Sequence, residues 1–259
     1  MLFFIFSLLV GVVLFLAPLI ISKRLSQKWQ IDRKIFWRAG IFHAFIMLIY
    51  LSVLSNLEAV FPGINNLGEV WQSLIAAAIT GLFIELGRFV VLDRFMKNVR
   101  SSKEAIYFGF SWAGFYAVVI GIFTIINSFG MYYLMNTSNI AAQFPQATPE
   151  QIQLLEEAKK QSTEDAQKPY MAFAPLIENA SLIMIDVAMT LLILLAITKP
   201  LTRFVWLAVG FKVLANFGSF ALANVNIFLS EASLILFAVL SYFLIKLLLK
   251  NFVRPTSLL

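Results

Sequence analysis

The 259-residue chain contains no cysteine and a single histidine, His43. Without cysteine it can form no disulfide, no thiolate nucleophile and no thiolate metal ligand. Zinc sites in enzymes usually take several nitrogen or sulfur ligands, so a zinc site here would depend on carboxylates and one imidazole. The absence of cysteine excludes cysteine chemistry, and the single histidine makes a zinc hydrolase a weak prediction. We therefore expect no metal and no other cofactor.

Charged residues are also scarce, at 13% of the chain, whereas 60% of the residues are hydrophobic and the mean hydropathy is +0.85. A water-soluble domain needs a more polar surface, so the solvent of this fold is lipid. Each apolar run is long enough for a helix across a hydrocarbon core of about 30 Å. The sequence predicts an all-α, polytopic membrane helix bundle, a single transmembrane domain over residues 1–259. Its spans lie near 2–21, 36–57, 73–94, 105–134, 171–198, 203–223 and 226–250.

Basic residues follow the first, third, fifth and last apolar runs, whereas the alternate connections are acidic or uncharged. Short cytoplasmic loops carry the excess of Lys and Arg, so this pattern places the N-terminus outside and the C-terminus in the cytoplasm. It also explains the net charge of +6 without nucleic acid, which we exclude as a partner. The basic residues are Lys23, Arg24, Lys28, Arg33, Lys34, Arg94, Lys97, Arg100, Lys103, Lys199, Arg203, Lys246, Lys250 and Arg254.

The one long connection, residues 136–170, is predicted to lie outside and to contain an amphipathic helix. Thr148, Pro149 and Gln151 are typical of an N-cap, a first helical position and the third residue of a capping box. A stripe of Ile152, Leu155 and Ala158 is the predicted buried face. This helix is either a solvated spacer or a lid over an outward cavity.

Several ionisable residues fall inside the predicted spans, where a charge costs about 2.5–3.5 kcal/mol at a helix centre. Glu85 and Arg88 are three residues apart on one face and can pair locally. Asp186 and Lys212 have no opposite charge at similar depth on their own helices, so we expect them to pair across the bundle. These are either structural ion pairs or parts of a polar pocket. Other polar residues within spans are His43, which we expect to serve packing, Glu178 and Asn216.

Four segments in order resemble the YhfC-like family of intramembrane proteases, which is related to the CAAX-type prenyl endopeptidases. They read GLFIELGRF at 81–89, FGFSWAGFYA at 108–117, PLIE at 175–178 and LAVGFKVLAN at 207–216. The resemblance extends over roughly residues 73–250 and includes the long loop and its helix. It implies an integral protein of a membrane, which we expect to be the bacterial inner (cytoplasmic) membrane.

In that family the chemistry rests on an EExxR step, a GHGGxE step, and later helices that each supply a histidine, the last followed by an aspartate. Such a site uses glutamate to activate water, directly or on a metal. Little of the site is retained here, because Ile84 replaces the first glutamate and all three histidines are substituted. The positions that match the family site are Glu85, Arg88, Trp112, Tyr116, Asp186, Lys212 and Asn216.

The substitutions favour a non-catalytic relative, a pseudoenzyme that binds or regulates another membrane protein or a transmembrane helix. One alternative is a small transporter or transporter subunit whose polar path uses Glu85, Asp186 and Lys212. A further alternative is an active protease with an altered centre, in which Glu85 activates water and Tyr116 or Lys212 stabilises the oxyanion.

Overall fold

The computed structural model describes residues 2–199, 201–223 and 225–253, and within these ranges every regular element is helical. Seven of the helices are long and apolar enough to cross a membrane. The prediction of an all-α, polytopic membrane protein is therefore confirmed. These helices are α1 (Leu2–Trp29), α2 (Lys34–Ser55), α3 (Glu69–Val90), α4 (Ser102–Asn136), α5 (Ala174–Thr198), α6 (Arg203–Ala223) and α7 (Ile227–Val253).

The helices overlap the predicted spans and extend beyond several of them. Helix α1 continues from the apolar run to Trp29, through Lys23, Arg24 and Lys28. Lysine and arginine are good helix formers, so a helix need not end where its apolar run ends. The C-terminal basic residue Arg254 lies outside the described residues.

The chain forms two compact units, which are described separately. Unit 1 comprises Met1–Leu19 and Ala117–Ile177, and unit 2 comprises Ile20–Tyr116 and Glu178–Leu259. Among the described residues, the buried side chains of unit 1 include two apolar clusters, one of Phe3, Phe4 and Ala172 and one of Val10, Leu14 and Ala117.

A glycine lets two helix segments of unit 1 approach closely. A Cβ atom added at Gly121 would lie 2.6 Å from the backbone nitrogen of Phe15 and 2.7 Å from the carbonyl oxygen of Gly11. Membrane helices often use small residues for such approaches, because lipid provides little hydrophobic force between helices. The packing of this unit therefore depends on backbone contact.

Unit 2 is built on the packing of α3 against α6, with α7 beside α6 and α2 beside α3. Gly81 of α3 faces Val213 of α6, and a Cβ there would come within 2.6 Å of the valine side chain. Gly109 of α4 lies against α5, where its Cβ would be 2.7 Å from Val187 Cα. These close approaches bring the polar residues of α3, α5 and α6 within bonding distance.

Helix α3 ends in a π-helical turn, Val91–Phe95, before the chain enters α4. Arg100 satisfies carbonyl groups at this end, since its Nη1 donates to the oxygens of Leu92 at 3.1 Å and Val99 at 2.7 Å. An arginine at a helix C-terminus is favourable because it meets the negative end of the helix dipole. The turn therefore fixes where α3 stops.

The long connection contains a helix at Pro149–Ala166, called the loop helix below. Thr148 and Gln151 bond reciprocally, with Thr148 N donating to Gln151 Oε1 at 2.9 Å and Gln151 N donating to Thr148 Oγ1 at 3.3 Å. This is a capping box.

The buried face of the loop helix differs from the predicted stripe. Ile152 and Leu155 are partly buried, but Ala158 is exposed. Lys159 and Ser162 cover the face instead, and Lys159 Nζ donates to the carbonyl oxygen of Thr137 at 2.5 Å. The predicted stripe is wrong at Ala158, because Lys159 is partly buried in its place by its hydrogen bond to the Thr137 carbonyl.

A buried ion cluster and a polar cavity in unit 2

Four charged side chains from three helices meet in the interior of unit 2. Asp186 of α5 lies at the centre, with its Oδ1 accepting from Arg88 Nη2 at 2.6 Å and from Lys212 Nζ at 2.9 Å. Arg88 Nη1 also donates to the carbonyl oxygen of Asp186 at 3.0 Å and lies 3.3 Å from Glu85 Oε2. The predicted local pair and the predicted cross-bundle pair are thus joined in one cluster by Arg88.

The four side chains are almost completely buried, with exposed fractions of 0% for Glu85 and Arg88, 3% for Asp186 and 5% for Lys212. Two carboxylates and two cations give a formal charge of zero. Burying charge in an apolar medium is tolerated when the ions are paired and hydrogen-bonded. Asp186, Arg88 and Lys212 meet this condition, whereas neither Glu85 oxygen accepts a hydrogen bond from the described residues. The cluster is formally neutral, so removing one charged member leaves an uncompensated charge.

His43 and Trp112 lie beside this cluster. Their rings stack with centroids 4.7 Å apart, and Arg88 Cζ lies 5.2 Å from the Trp112 ring centroid. His43 Nδ1 is 2.7 Å from the carbonyl oxygen of Trp112. One imidazole nitrogen is thus engaged by the backbone.

A cavity of about 140 Å³ adjoins the cluster. Its walls combine apolar residues such as Met47 and Ile84 with many polar side chains from five helices. The polar residues that line it are His43, Tyr50, Thr80, Tyr116, Glu178, Asp186, Lys212, Asn216 and Ser219.

The candidate site residues divide into two groups around this cavity. Tyr116, Asp186, Lys212 and Asn216 line it. Glu85, Arg88 and Trp112 do not belong to its lining and are each fully buried.

Helix geometry explains the position of Glu85. Ile84 lines the cavity, and successive residues of an α-helix point about 100° apart. Glu85, the next residue, is fully buried outside the lining, and its Oε2 lies 3.3 Å from Arg88 Nη1 on its own helix.

The sequence did not predict that Tyr50, Thr80 and Ser219 line the cavity, because a single neutral polar residue in an apolar span does not by itself indicate a cavity. One signal was present on α6. Lys212, Asn216 and Ser219 have the spacing i, i+4 and i+7, which places them on one helix face. A polar stripe at that spacing within a membrane span indicates a cavity.

The donor atoms of this site do not fit a catalytic zinc ion. In the part of the chain that the structure describes, no three His, Cys, Asp or Glu side chains come together as ligands. A zinc ligand must offer a free lone pair, but Asp186 Oδ1 already accepts from two cations, so the aspartate could offer only Oδ2, next to the Lys212 ammonium. A metal cation would also have to approach an arginine and a lysine.

In the part of the chain that the structure describes, seven helices that could cross a membrane, with buried charges beside a polar cavity, define a polytopic membrane protein. The model of the YhfC intramembrane metalloprotease family matches residues 10–238. The chain belongs to this family. Neither the comparison with curated proteins nor the comparison with solved structures finds a match.

Proposed function

We propose that this protein is a non-catalytic member of the YhfC family that binds or regulates another membrane protein. The observation that carries the proposal is the Asp186 carboxylate, which bonds both Arg88 and Lys212 where the family requires groups that activate water. An aspartate neutralised by two cations is a weak base and a weak metal ligand. The cluster therefore supports a structural role for these positions.

The surviving glutamate gives little support to an active protease with an altered centre. A general base must lie within hydrogen-bond reach of the water that it activates. Glu85 does not line the cavity and its carboxylate lies 3.3 Å from Arg88. Tyr116 and Lys212 do line the cavity, but Lys212 Nζ is held by Asp186 at 2.9 Å, and among the described residues Tyr116 makes no hydrogen bond to the His43 imidazole or the Glu178 carboxylate that line the same cavity.

An apolar groove on unit 2 supports the partner part of the proposal. It has a volume of about 510 Å³ and lies between α2 and α3. Concave apolar surfaces within the bilayer can accept a transmembrane helix through close packing. The groove is lined by Phe42, Phe45, Ile46, Ile49, Leu82, Phe83, Leu86, Gly87, Val90, Val91 and Phe95.

The partner can be tested by photo-crosslinking in cells, with a photoreactive amino acid at Phe45 in the groove. Trp206 of α6 provides a matched control, because Phe45 and Trp206 are exposed to 62% and 60% and Trp206 lies outside the groove. We expect a discrete protein adduct from position 45 and none from position 206. Lipid adducts alone at both positions would contradict a partner in the groove.

The orientation and location are parts of the same proposal. The basic residues that follow α1, α3 and α5 support a cytoplasmic face at those helix ends. We propose an N-terminus outside, a cytoplasmic C-terminus and residence in a bacterial cytoplasmic membrane. Alkaline phosphatase fused after α2 should be active, whereas the same fusion after α3 should be inactive.

A second candidate function, a small transporter or transporter subunit, is favoured by one observation. The cavity is lined by polar groups from five helices, and intramembrane polar groups often mark substrate pathways. Under this alternative, replacing Asp186 and Lys212 together by Asn and Met abolishes uptake of a substrate. Under the structural proposal the same pair of changes alters only stability.

A further inference from the structure

The cavity of unit 2 presents hydrogen-bond donors that have no acceptor. Lys212 Nζ carries three N–H groups and, among the described residues, makes one hydrogen bond, to Asp186 Oδ1. Asn216, one turn further along α6, is 7% exposed and lines the cavity, and its Nδ2 has no partner among those residues. A buried donor without an acceptor costs about 1–3 kcal/mol. The site therefore lacks an acceptor group.

In the part of the chain that the structure describes, the same cavity contains an acidic group without a cationic partner. Asp186 pairs with Lys212, whereas Glu178, which also lines the cavity, makes no ion pair with the described residues. Glu178 is therefore the group beside which a cationic ligand atom would lie.

The two features lie at different depths of one cavity. Glu178 and Asp186 are eight residues apart on α5, which is about 12 Å along the helix axis. Helices α5 and α6 are joined by a short connection and run in opposite directions, so Asn216 lies between the levels of Asp186 and Glu178. Along the helix axes, an acceptor at Asn216 and a cation at Glu178 would differ in level by about 6 Å, roughly one helical turn.

The size of the cavity suits a small molecule. A water occupies about 30 Å³ in the liquid, so a cavity of about 140 Å³ has room for roughly five waters or for a compact ligand. A carboxylate at Lys212 would meet the nearby Asp186 carboxylate and be repelled, whereas a neutral carbonyl would not. The acceptor is therefore neutral.

We propose that the cavity binds a small organic monocation carrying a neutral carbonyl acceptor, with its cationic group at Glu178 and its carbonyl at Asn216 and Lys212. This inference stands whether or not the protein has a membrane partner, and it assigns to Glu178 and Asn216 a role in ligand recognition. The ligand class is that of an amide-bearing primary amine.

The test uses the full-length protein in detergent micelles and follows the thermal unfolding midpoint as ligand is added. The probes are 4-aminobutanamide, which has both groups, n-butylammonium, which has only the cation, and butanamide, which has only the carbonyl. We expect a saturable rise with 4-aminobutanamide, a smaller rise with n-butylammonium and none with butanamide, because ligands that bind only the folded state stabilise it.

Two variants and a control assign the contacts. Glu178→Gln should abolish the response to both amines, and Asn216→Leu should reduce the response to 4-aminobutanamide to that of n-butylammonium. Glu69→Gln, at an exposed acid at the start of α3, should leave all responses unchanged. The proposal is overturned if neither amine raises the midpoint, if Glu178→Gln keeps the response, or if sodium chloride alone reproduces it.

Discussion

The two compact units achieve burial in different ways. Unit 1 contains apolar core clusters, and at Gly121 it has a close approach of backbone to backbone. The interior of unit 2 holds two carboxylates, a guanidinium and an ammonium around Asp186. Charge buried inside a membrane is costly, so a unit that carries it does so for specificity or function. The candidate site of this protein, with its buried ion pairs, therefore belongs to unit 2.

The largest expected effect comes from removing the centre of the ion cluster. Asp186→Asn leaves Arg88 and Lys212 with one carboxylate between them, and we expect a loss of about 3–5 kcal/mol in the free energy of unfolding. SDS titration of the detergent-solubilised protein measures this loss. Adding Lys212→Met should restore part of it, because the second change removes the unpaired cation.

Asp93→Asn is the matched control for that measurement. Asp93 pairs with Arg94 in an exposed position, where ion pairs contribute about 0–1 kcal/mol. If both aspartate variants unfold alike, the buried cluster does not stabilise unit 2 as described and the comparison between the units fails.

The next effect tests the backbone packing of unit 1. Gly121→Ala places a Cβ within 2.7 Å of two backbone atoms that cannot rotate away, so we expect a loss of about 1–3 kcal/mol in the free energy of unfolding. Gly130→Ala, on the same helix and with nothing within 4 Å of the new atom, should be neutral or stabilising by about 0.5–1 kcal/mol. Equal effects of the two changes would contradict the close approach at Gly121.

The smallest effect concerns the loop helix of unit 1. Thr148→Ala removes one half of the capping box and should cost about 1 kcal/mol, confined to the first turn. Faster hydrogen exchange of the amides near Gln151 reports this loss. Thr163→Ala on the same helix is the control, because its hydroxyl donates to the Lys159 carbonyl and caps nothing. Protection unchanged by Thr148→Ala would show that the cap is dispensable.

The membrane helices were predictable because each long apolar run must satisfy its own backbone hydrogen bonds in lipid, and an α-helix of about 20 residues does so. The pairing of Asp186 with Lys212 could be expected from the same physics, since neither has a partner on its own helix. The link from Arg88 to Asp186 could not, because sequence spacing does not give the relative depth of separate helices. The sequence also could not show that Glu85 does not line the cavity, because that depends on how α3 is rotated against α6.

The loop helix shows another limit of sequence patterns. Its start at Pro149 follows from the capping residues, which act within one turn. Its buried face could not be predicted from apolarity alone, because Lys159 reaches the carbonyl of Thr137, which lies outside the loop helix. Polar contacts between separate segments are set by the fold, and local spacing does not reveal them.

The central claim, that the ion cluster has replaced a water-activating metal site, is tested most directly by measuring zinc in the purified full-length protein together with peptide release from a membrane-embedded substrate. The account predicts no stoichiometric zinc and no peptide release, both for the unmodified protein and after zinc is added. One zinc per chain that is lost in Asp186→Asn, accompanied by peptide release that requires Glu85, would contradict it.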